Sequence, residues 1–270
     1  MPLITSLQNV RVKEAAKLRD RRAREKQGRI LIDGARELRR AIEAGIELVE
    51  LFVCRELCSS DDAYAVLERA EHAPVELLDV TPSVFAKLAF GQRAEGVLGV
   101  ARPPQGSLAD LQLPENPLVA VLEGVEKPGN VGAVLRSADA AGVGAVIVAD
   151  GGTDLYNPNT IRASLGTIFT VPVCDASSRE VLAWLRARRI HIVTSRVDAA
   201  VRYTAVPLAG PAAIVIGAES HGLSEIWHGD DVTAVSLPML GAADSLNVST
   251  TAAVLFYEAL RQRQGGPVTP

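Results

Sequence analysis

The sequence predicts an α/β protein made of two units, and three features of the 270-residue chain support this fold class. Short apolar runs with strand character alternate with helical patterns along most of the chain. A proline-containing stretch at residues 103–117 separates the earlier runs from the later ones. The run that follows, 118–122, is almost continuously apolar, which is typical of a strand buried in a parallel sheet.

The first predicted unit covers residues 1–102 and alternates helices with strands. From Val10 to about Gln27 the pattern is helical, with small apolar residues on one side and a dense cationic side opposite. The later predicted elements are a strand at 29–33, a helix at 35–44 ended by Gly45, a strand at 48–54, a helix from a Ser60–Asp61 cap to about 70, a strand at 75–79, a short helix opened by Thr81-Pro82, and a strand at 96–101.

The second predicted unit covers residues 118–264, with 103–117 as the linker. Strands alternating with helices favour a parallel sheet that is covered on both faces. A closing helix follows the last strand, and Asp244 and Ser245 are expected to cap it. The predicted strands are 118–122, 144–149, 171–173, 190–194, 212–216 and 232–237, and the other predicted helices are 161–166 and 180–188.

Charge is distributed unevenly along the chain. Residues 11–40 carry a net charge of +7, although the whole chain is at −4. A basic segment on an acidic chain favours a polyanion-binding face, and the alternative is a solvated helix with internal ion pairs such as Glu25–Arg29. With 4% aromatic residues, few side chains are available for base stacking. The candidate phosphate contacts are Arg19, Arg21, Arg22 and Arg24, to which Gln92 and Arg93 are added as contacts in a possible target loop.

Several classes of protein are disfavoured. No apolar run is long enough for a membrane helix, and the N-terminus does not resemble a secretory signal. The three cysteines and four histidines form no cluster with metal-ligand spacing, so we expect a reduced cytoplasmic protein without a metal. No Gly-x-Gly-x-x-Gly follows a strand, which argues against a dinucleotide-binding dehydrogenase.

Glycine-containing turns lie at three strand ends that are distant in sequence: 129–132, 217–222 and 241. Near the last of them, a strand stopped by Pro238 leads into a flexible loop and then into the closing helix. Backbone donors and amide side chains there could meet a ligand. Taken alone, the stretch is equally compatible with an ordinary strand–loop–helix connection.

Three motifs in these turns resemble the SpoU (TrmH-type) branch of the SPOUT RNA methyltransferases. The first is Asn-x-Gly-x-x-x-Arg at 130–136, and the second is Gly-x-Glu-x-x-Gly-Leu at 217–223. The third is Pro-Met at 238–239 followed by Ser-Leu-Asn-Val-Ser at 245–249. The tract 154–164 also resembles the family, and the basic first unit resembles the L30e-like RNA-binding domain that often precedes this catalytic domain.

The resemblance implies a fold, a cofactor and a reaction. It implies a deep trefoil knot, S-adenosylmethionine as methyl donor, a ribose 2′-hydroxyl of RNA as acceptor, and a homodimer formed through the catalytic domain. Arg136 would orient and polarise the hydroxyl, and Glu219 would shape the site by pairing with Arg136. The implied catalytic residues are Arg136, Asn130, Glu219 and Asn247, and the implied cofactor-binding residues are Gly217, Leu223, Leu237, Met239, Ser245 and Leu246.

The resemblance favours ribosomal RNA as the substrate, because a separate L30e-like domain is typical of the ribosomal branch. Transfer RNA is the alternative substrate, and a non-catalytic RNA-binding protein of the same fold is the alternative class. The sequence names neither the nucleotide nor whether free RNA or an assembled particle is used. A housekeeping role and an antibiotic-resistance role both stay open.

Overall fold

A computed structural model describes residues 3–90 and 94–265 and divides them into two compact units. Unit 1 contains the chain up to Pro104 together with Tyr156–Thr170, and unit 2 contains Gln105–Leu155 and the chain from Val171 onward. The strands are β1 (Ile30–Asp33), β2 (Leu48–Val53), β3 (Glu76–Asp79), β4 (Val97–Ala101), β5 (Leu118–Glu123), β6 (Ala145–Ala149), β7 (Val173–Ala176), β8 (His191–Ser195), β9 (Ala212–Gly217) and β10 (Val232–Val235). The helices are α1 (Val10–Lys17), α2 (Arg21–Gln27), α3 (Ala35–Glu43), α4 (Asp61–Glu71), α5 (Pro82–Leu88), α6 (Pro128–Ala140), α7 (Pro158–Ala163), α8 (Ser178–Ala187) and α9 (Val248–Arg263).

Unit 1 is built on a four-stranded mixed sheet in the order β1-β4-β2-β3. β4 is antiparallel to both of its neighbours, and β2 is parallel to β3. The first helix prediction, Val10 to about Gln27, is wrong in one respect, because two helices occupy this stretch. α1 ends at Lys17 with Leu18 as its C-cap, and the Asp20 side chain then accepts a hydrogen bond from the Ala23 amide and starts α2.

Unit 2 is built on a six-stranded sheet in the order β10-β8-β9-β5-β6-β7, and every pair in it is parallel. The predicted α/β fold with a parallel sheet is therefore confirmed. β5 and β9 are neighbours whose last residues, Glu123 and Gly217, lie opposite each other. The first two motifs consequently leave the sheet side by side at one edge. The knot that the family resemblance implies stays a prediction.

Some predicted boundaries in unit 2 are corrected. The closing helix begins at Val248 and is capped by Asn247, whose side chain accepts from the Ser249 amide, so Asp244 and Ser245 are not its caps. β7 starts at Val173, since Pro172 offers its carbonyl to the sheet but no N–H. α7 spans Pro158–Ala163, earlier than the predicted 161–166. In the predicted linker, three leucines pack against the core of unit 2: Leu108, Leu111 and Leu113.

The segment Tyr156–Thr170 packs within unit 1, although it lies inside the range 118–264 predicted for the second unit. The Arg162 guanidinium lies 3.6 Å from the buried carboxylate of Asp33 at the end of β1, and it also donates to the Phe90 carbonyl. Arg40 of α3 donates to the Leu165 carbonyl at 2.8 Å. Polar contacts to buried groups therefore hold this segment in unit 1. No helix in the described residues is both long and apolar enough to cross a bilayer.

Asp33 makes the stability of the fold depend on pH. Burial raises the pKa of its carboxyl to about 6, against the opposing effects of the Phe90 amide and Arg162. The folded chain then binds the Asp33 proton more tightly than the unfolded chain does. The protonated carboxyl therefore stabilises the fold at low pH, and this stabilisation is lost as pH rises from about 4 to about 6. We expect the free energy of unfolding of wild type, relative to Asp33→Asn, to fall by up to about 3 kcal/mol across this window.

Urea unfolding of both proteins, followed by circular dichroism at several pH values, measures this difference. Taking the difference between the two proteins cancels the titration of all other carboxyl groups. A difference that does not change between pH 4 and pH 7 would show that Asp33 titrates normally in the fold.

Candidate active site

The three motifs place their polar residues around one edge of the unit 2 sheet. Asn130 lies in the first turn of α6, directly after β5. Glu219 follows β9 by two residues, and Asn247 is the residue that caps α9. Because the carboxyl ends of parallel strands meet at the same edge, residues far apart in sequence converge here.

The Glu219 carboxylate is the centre of this group. Its Oε1 accepts from Asn247 Nδ2 at 2.7 Å and from Asn130 Nδ2 at 3.2 Å. Its Oε2 accepts from Lys127 Nζ at 2.5 Å. The Asn247 oxygen faces the other way and accepts from the amide and hydroxyl of Ser249. One carboxylate thus joins a residue of the first motif to a residue of the third.

These contacts keep Glu219 ionised. The hydrogen bond from Lys127 is the largest cause that lowers the pKa of Glu219 below its ordinary value, and the charge of Lys127 and the Asn130 amide lower it further. Partial burial opposes them. The carboxylate therefore acts as a hydrogen-bond acceptor at neutral pH and does not serve as a proton donor there.

A cavity of about 400 Å³ opens on one side of Glu219. The ends of β8 and β9 and the loop between β10 and α9 enclose it. Its volume is in the range of small-molecule sites, and it combines apolar side chains with backbone and a few polar groups. Every cofactor-binding residue predicted from the sequence lines it: Gly217, Leu223, Leu237, Met239, Ser245 and Leu246.

A second cavity, of about 210 Å³, lies on the α6 side of Glu219. Lys127, Asn130 and Ser220 line it together with the backbone after β5. Glu219 and Val248 line both cavities, so they form part of a shared wall. The site therefore offers two adjacent spaces divided by an ionised carboxylate.

Arg136 lies outside this group of contacts. It is exposed on α6, and its guanidinium makes no hydrogen bond or ion pair with any residue in 3–90 or 94–265. Six positions separate it from Asn130, which turns the two side chains about 120° apart around the helix. Within the described residues Glu219 pairs with Lys127, and the predicted pairing of Glu219 with Arg136 stays a prediction.

Glu123 is a buried residue that the sequence did not single out. Its Oε1 accepts from Ser178 Oγ and Ser224 Oγ at 2.7 Å and from Trp227 Nε1 at 2.8 Å. Its Oε2 accepts from the Ser224 amide at 2.7 Å. Glu123 ends β5, so this carboxylate ties the loop that follows the second motif to the strand that precedes the first. No sequence signal links these residues, since Ser224 is 101 positions away.

The candidate phosphate contacts of unit 1 divide into two kinds. Arg24 is 5% exposed and donates to the Leu18 carbonyl, which removes it from the candidates. Arg19 donates from Nη2 to the carbonyls of Lys87, Leu88 and Ala89 at the end of α5. Part of its guanidinium is therefore already used within unit 1 and is not available to a phosphate. The side chains of Arg21 and Arg22 are exposed, and Arg21 pairs with Glu25 at 2.8 Å. Gln92 and Arg93 lie outside the described residues.

Other residues that line the larger cavity were not predicted, among them Ser195, Arg196 and Thr251. Ser195 ends β8 opposite Ile216 of β9, so its position follows from the sheet register. Within residues 3–90 and 94–265, no three His, Cys, Asp or Glu side chains are grouped to hold a metal ion.

The fold and the site together define a two-unit α/β protein whose parallel-sheet unit carries a small-molecule cavity beside three linked motifs. Residues 117–257 match the model of the SpoU rRNA Methylase family, and residues 9–99 match the MRM3-like substrate binding domain. The chain belongs to the SpoU rRNA methylase family. The resemblance inferred from the motifs is thereby confirmed.

Individual relatives agree with this assignment over most of their length. The chain is 32% identical over 260 residues to a 23S rRNA (uridine(2479)-2′-O)-methyltransferase of Streptomyces viridochromogenes, covering 93% of this chain and 89% of the relative. A crystal structure of an RNA 2′-O ribose methyltransferase matches with a TM-score of 0.85 and 43% identity over 97% of this chain and all of the other. The methyltransferase AviRb from Streptomyces viridochromogenes, in complex with AdoMet, matches with a TM-score of 0.85 and 30% identity over 96% of this chain and all of the other.

Removing the Glu123 carboxylate should destabilise unit 2. In Glu123→Ala, the indole of Trp227, the hydroxyl of Ser178 and the donors of Ser224 lose their acceptor in the interior. Buried donors without a partner are costly, so we expect the free energy of unfolding to fall by about 3 kcal/mol. Urea unfolding followed by tryptophan fluorescence measures it, because Trp227 is part of the network.

Glu180→Ala is the matched control, since Glu180 is an exposed glutamate in the capping box of α8. Glu180→Ala should lower the free energy of unfolding much less than Glu123→Ala, because only an exposed capping interaction is lost. Equal effects of the two substitutions would contradict a structural role for the buried carboxylate.

Proposed function

We propose that this chain transfers the methyl group of S-adenosylmethionine to a ribose 2′-hydroxyl of ribosomal RNA. One observation carries the proposal: all of the predicted cofactor-binding residues line a single cavity whose wall includes the carboxylate that links Asn130 and Asn247. Membership of an rRNA methylase family supports the same activity. The AdoMet complex of the relative AviRb supports the choice of cofactor.

The larger cavity fits the proposed cofactor in size and chemistry. Leu223, Leu237 and Leu246 offer apolar surface to an adenosyl group, and the backbone from Gly217 onward offers hydrogen-bonding groups. When bound, the cofactor supplies an electrophilic methyl group on a positively charged sulfur. An ionised Glu219 at the wall of the cavity complements positive charge.

The residues around Glu219 would position the acceptor. Glu219 fixes the amides of Asn130 and Asn247, and the second cavity beside them offers space for the ribose. A 2′-hydroxyl is a weak nucleophile at neutral pH, so it must be oriented and its developing charge stabilised. Arg136 suits this role, because its guanidinium can bind a phosphate and the hydroxyl together while it stays protonated. The hydroxyl proton would then pass to a neighbouring phosphate or water.

The proposed assembly is a homodimer formed through unit 2, as the family resemblance implies. Exposed apolar side chains in unit 2 support an interface: Leu240 is 97% exposed, Val197 75% and Tyr257 52%. In a dimer, Arg136 could act beside the Glu219 group of the partner subunit. Arg136 makes no contact with the Glu219 group of its own described chain, which is compatible with this arrangement.

Unit 1 would hold the RNA, with residues 1–102 as the substrate-binding domain, 103–117 as the linker and 118–264 as the catalytic domain. Arg21 and Arg22 are the retained phosphate contacts, with Gln92 and Arg93 added from the sequence. Ribosomal RNA is preferred to transfer RNA, because the matched family is described as an rRNA methylase family and the relative from Streptomyces viridochromogenes is a 23S rRNA methyltransferase. With a ribosomal substrate, the cytoplasm is the proposed location of the chain.

Methyl transfer from labelled S-adenosylmethionine tests this function. We expect label in unmodified ribosomal RNA at one alkali-resistant dinucleotide, because a methylated 2′-oxygen cannot assist strand cleavage. Arg136→Ala should lower the rate by at least about 100-fold, since it removes the group that orients the hydroxyl. The variant should bind S-adenosylmethionine normally in calorimetry, because Arg136 does not line the cofactor cavity.

Each alternative outcome of this labelling experiment leads to a different conclusion. Label in transfer RNA alone would replace the substrate and keep the chemistry. Label in neither RNA, with the cofactor still bound, would direct the assay to assembled ribosomal particles. Absence of both label and cofactor binding would support a non-catalytic RNA-binding protein.

Gly217 should be essential for the cofactor cavity. A Cβ on residue 217 would lie 2.2 Å from the carbonyl carbon and oxygen of Gly222 and 2.6 Å from the Leu223 amide, so the loop would have to move. We expect Gly217→Ala to weaken S-adenosylmethionine binding at least about tenfold, because the loop forms one wall of the cavity.

Gly241→Ala is the matched control, since an added Cβ there meets nothing within 4 Å and residue 241 does not line the cavity. Its affinity should stay within about twofold of wild type. Calorimetry on both variants measures the effect, and equal affinities would show that the 217–222 loop is not part of the cofactor site.

A further inference from the structure

Lys127 lines the smaller cavity beside Glu219 and lies outside the motifs that define the family resemblance. It is the residue before α6, and its carbonyl accepts from the amides of Asn130 and Val131 at 3.0 and 3.3 Å. Pro128 follows it and restricts the backbone at the start of the helix. The backbone of Lys127 is therefore fixed, while its side chain, 71% exposed, reaches across to Glu219.

We propose that Lys127 is a positioning residue for methyl transfer, which holds Glu219 so that both amides of the site are aligned on it. This inference rests on the proposed function. Lys127 binds Oε2 of the carboxylate, and Oε1 is thereby turned towards Asn247 and Asn130. Without the lysine, Oε2 loses the partner that fixes the rotation of the carboxylate.

A positioning role for Lys127 and a merely stabilising ion pair predict different effects of Lys127→Met on stability and on activity. Exposed ion pairs contribute little to folding, so Lys127→Met should unfold within about 2 °C of wild type. Misalignment of the two amides should nevertheless lower kcat/KM about tenfold, with most of the loss in kcat. Lys127→Arg keeps the charge and a donor, and it should recover most of the activity.

The pKa of Glu219 provides a second way to detect the positioning role of Lys127. Removing Lys127 lets the pKa of Glu219 rise towards its ordinary value, so the acid limb of the rate profile should lie at higher pH in Lys127→Met. Several other groups line the same two cavities and stay unchanged in this comparison. They are Glu126 and Ser220 in the smaller cavity and Arg196, Asp198, His221, His228 and Asp244 in the larger one.

The experiment compares kcat and KM for ribosomal RNA between pH 4 and pH 8 in wild type, Lys127→Met, Lys127→Arg and Glu219→Gln, and in the double variant of Lys127→Met with Glu219→Gln. Arg186→Met is the control, because it removes an exposed ion pair of similar length, 2.7 Å to Asp231, elsewhere in unit 2. We expect Arg186→Met to match wild type, and Lys127→Met to have no further effect in the Glu219→Gln background.

Two results would overturn the inference. Lys127→Met could match wild type within about twofold at every pH, or it could lower activity equally with and without the Glu219 carboxylate. In the second case the lysine would act on the RNA directly and not through Glu219.

A readout that needs no activity keeps this test separate from that of the proposed function. Carbon NMR titration of the Glu219 carboxyl should show its pKa rising in Lys127→Met and unchanged in Arg186→Met. An unchanged pKa in both would contradict the inference even if wild type methylated no RNA. An inactive wild type with the expected pKa change would contradict the proposed function alone.

Discussion

The candidate site depends on a single carboxylate that is shared by three parts of the chain. Glu219 accepts hydrogen bonds from Lys127 and Asn130 at the start of α6 and from Asn247 at the start of α9. Each donor is held by its own helix start, and the carboxylate is the group that contacts all three, while Asn247 Nδ2 also donates directly to Asn130 Oδ1 at 3.4 Å. Because Glu219 remains ionised, it binds all three donors without a proton of its own.

The parallel sheet makes this sharing possible. β5 and β9 are adjacent and in register, so the segments that follow Glu123 and Gly217 start side by side. The buried Glu123 then binds the hydroxyl and amide of Ser224, which fixes the far end of the 217–223 segment. One buried carboxylate thus orders the loop on which the second, functional carboxylate stands.

Much of this arrangement follows from the sequence. The apolar strand at 118–122 and the alternation after it predict a parallel sheet, and polar residues placed after such strands must meet at one edge. That reasoning, with the family resemblance, placed Gly217, Leu237 and Ser245 around one cofactor cavity, and the structure brings them together there. The strand ends are the reliable part, because register and direction are imposed by the backbone.

Side-chain partners were harder to predict. A count of charges finds the basic segment. It does not reveal that the Arg24 side chain is buried and donates to the Leu18 carbonyl. Lys127 lies outside the recognised motifs, so the sequence does not reveal that it pairs with Glu219 within the chain. The cap of α9 was placed too early, because Asp244, Ser245 and Asn247 are all residues that favour the cap position. These choices depend on three-dimensional distances that a local pattern does not contain.

The central claim is that Glu219 and the amides it binds act as one unit in methyl transfer. A double-mutant cycle between Glu219→Gln and Asn247→Ser tests it most directly, because serine preserves the cap of α9 and removes the amide donor. If the account is right, each substitution lowers kcat/KM for ribosomal RNA. The double variant then has the same kcat/KM as the less active of the two single variants. If the two effects multiply, the residues contribute independently and the shared carboxylate is not what organises the site.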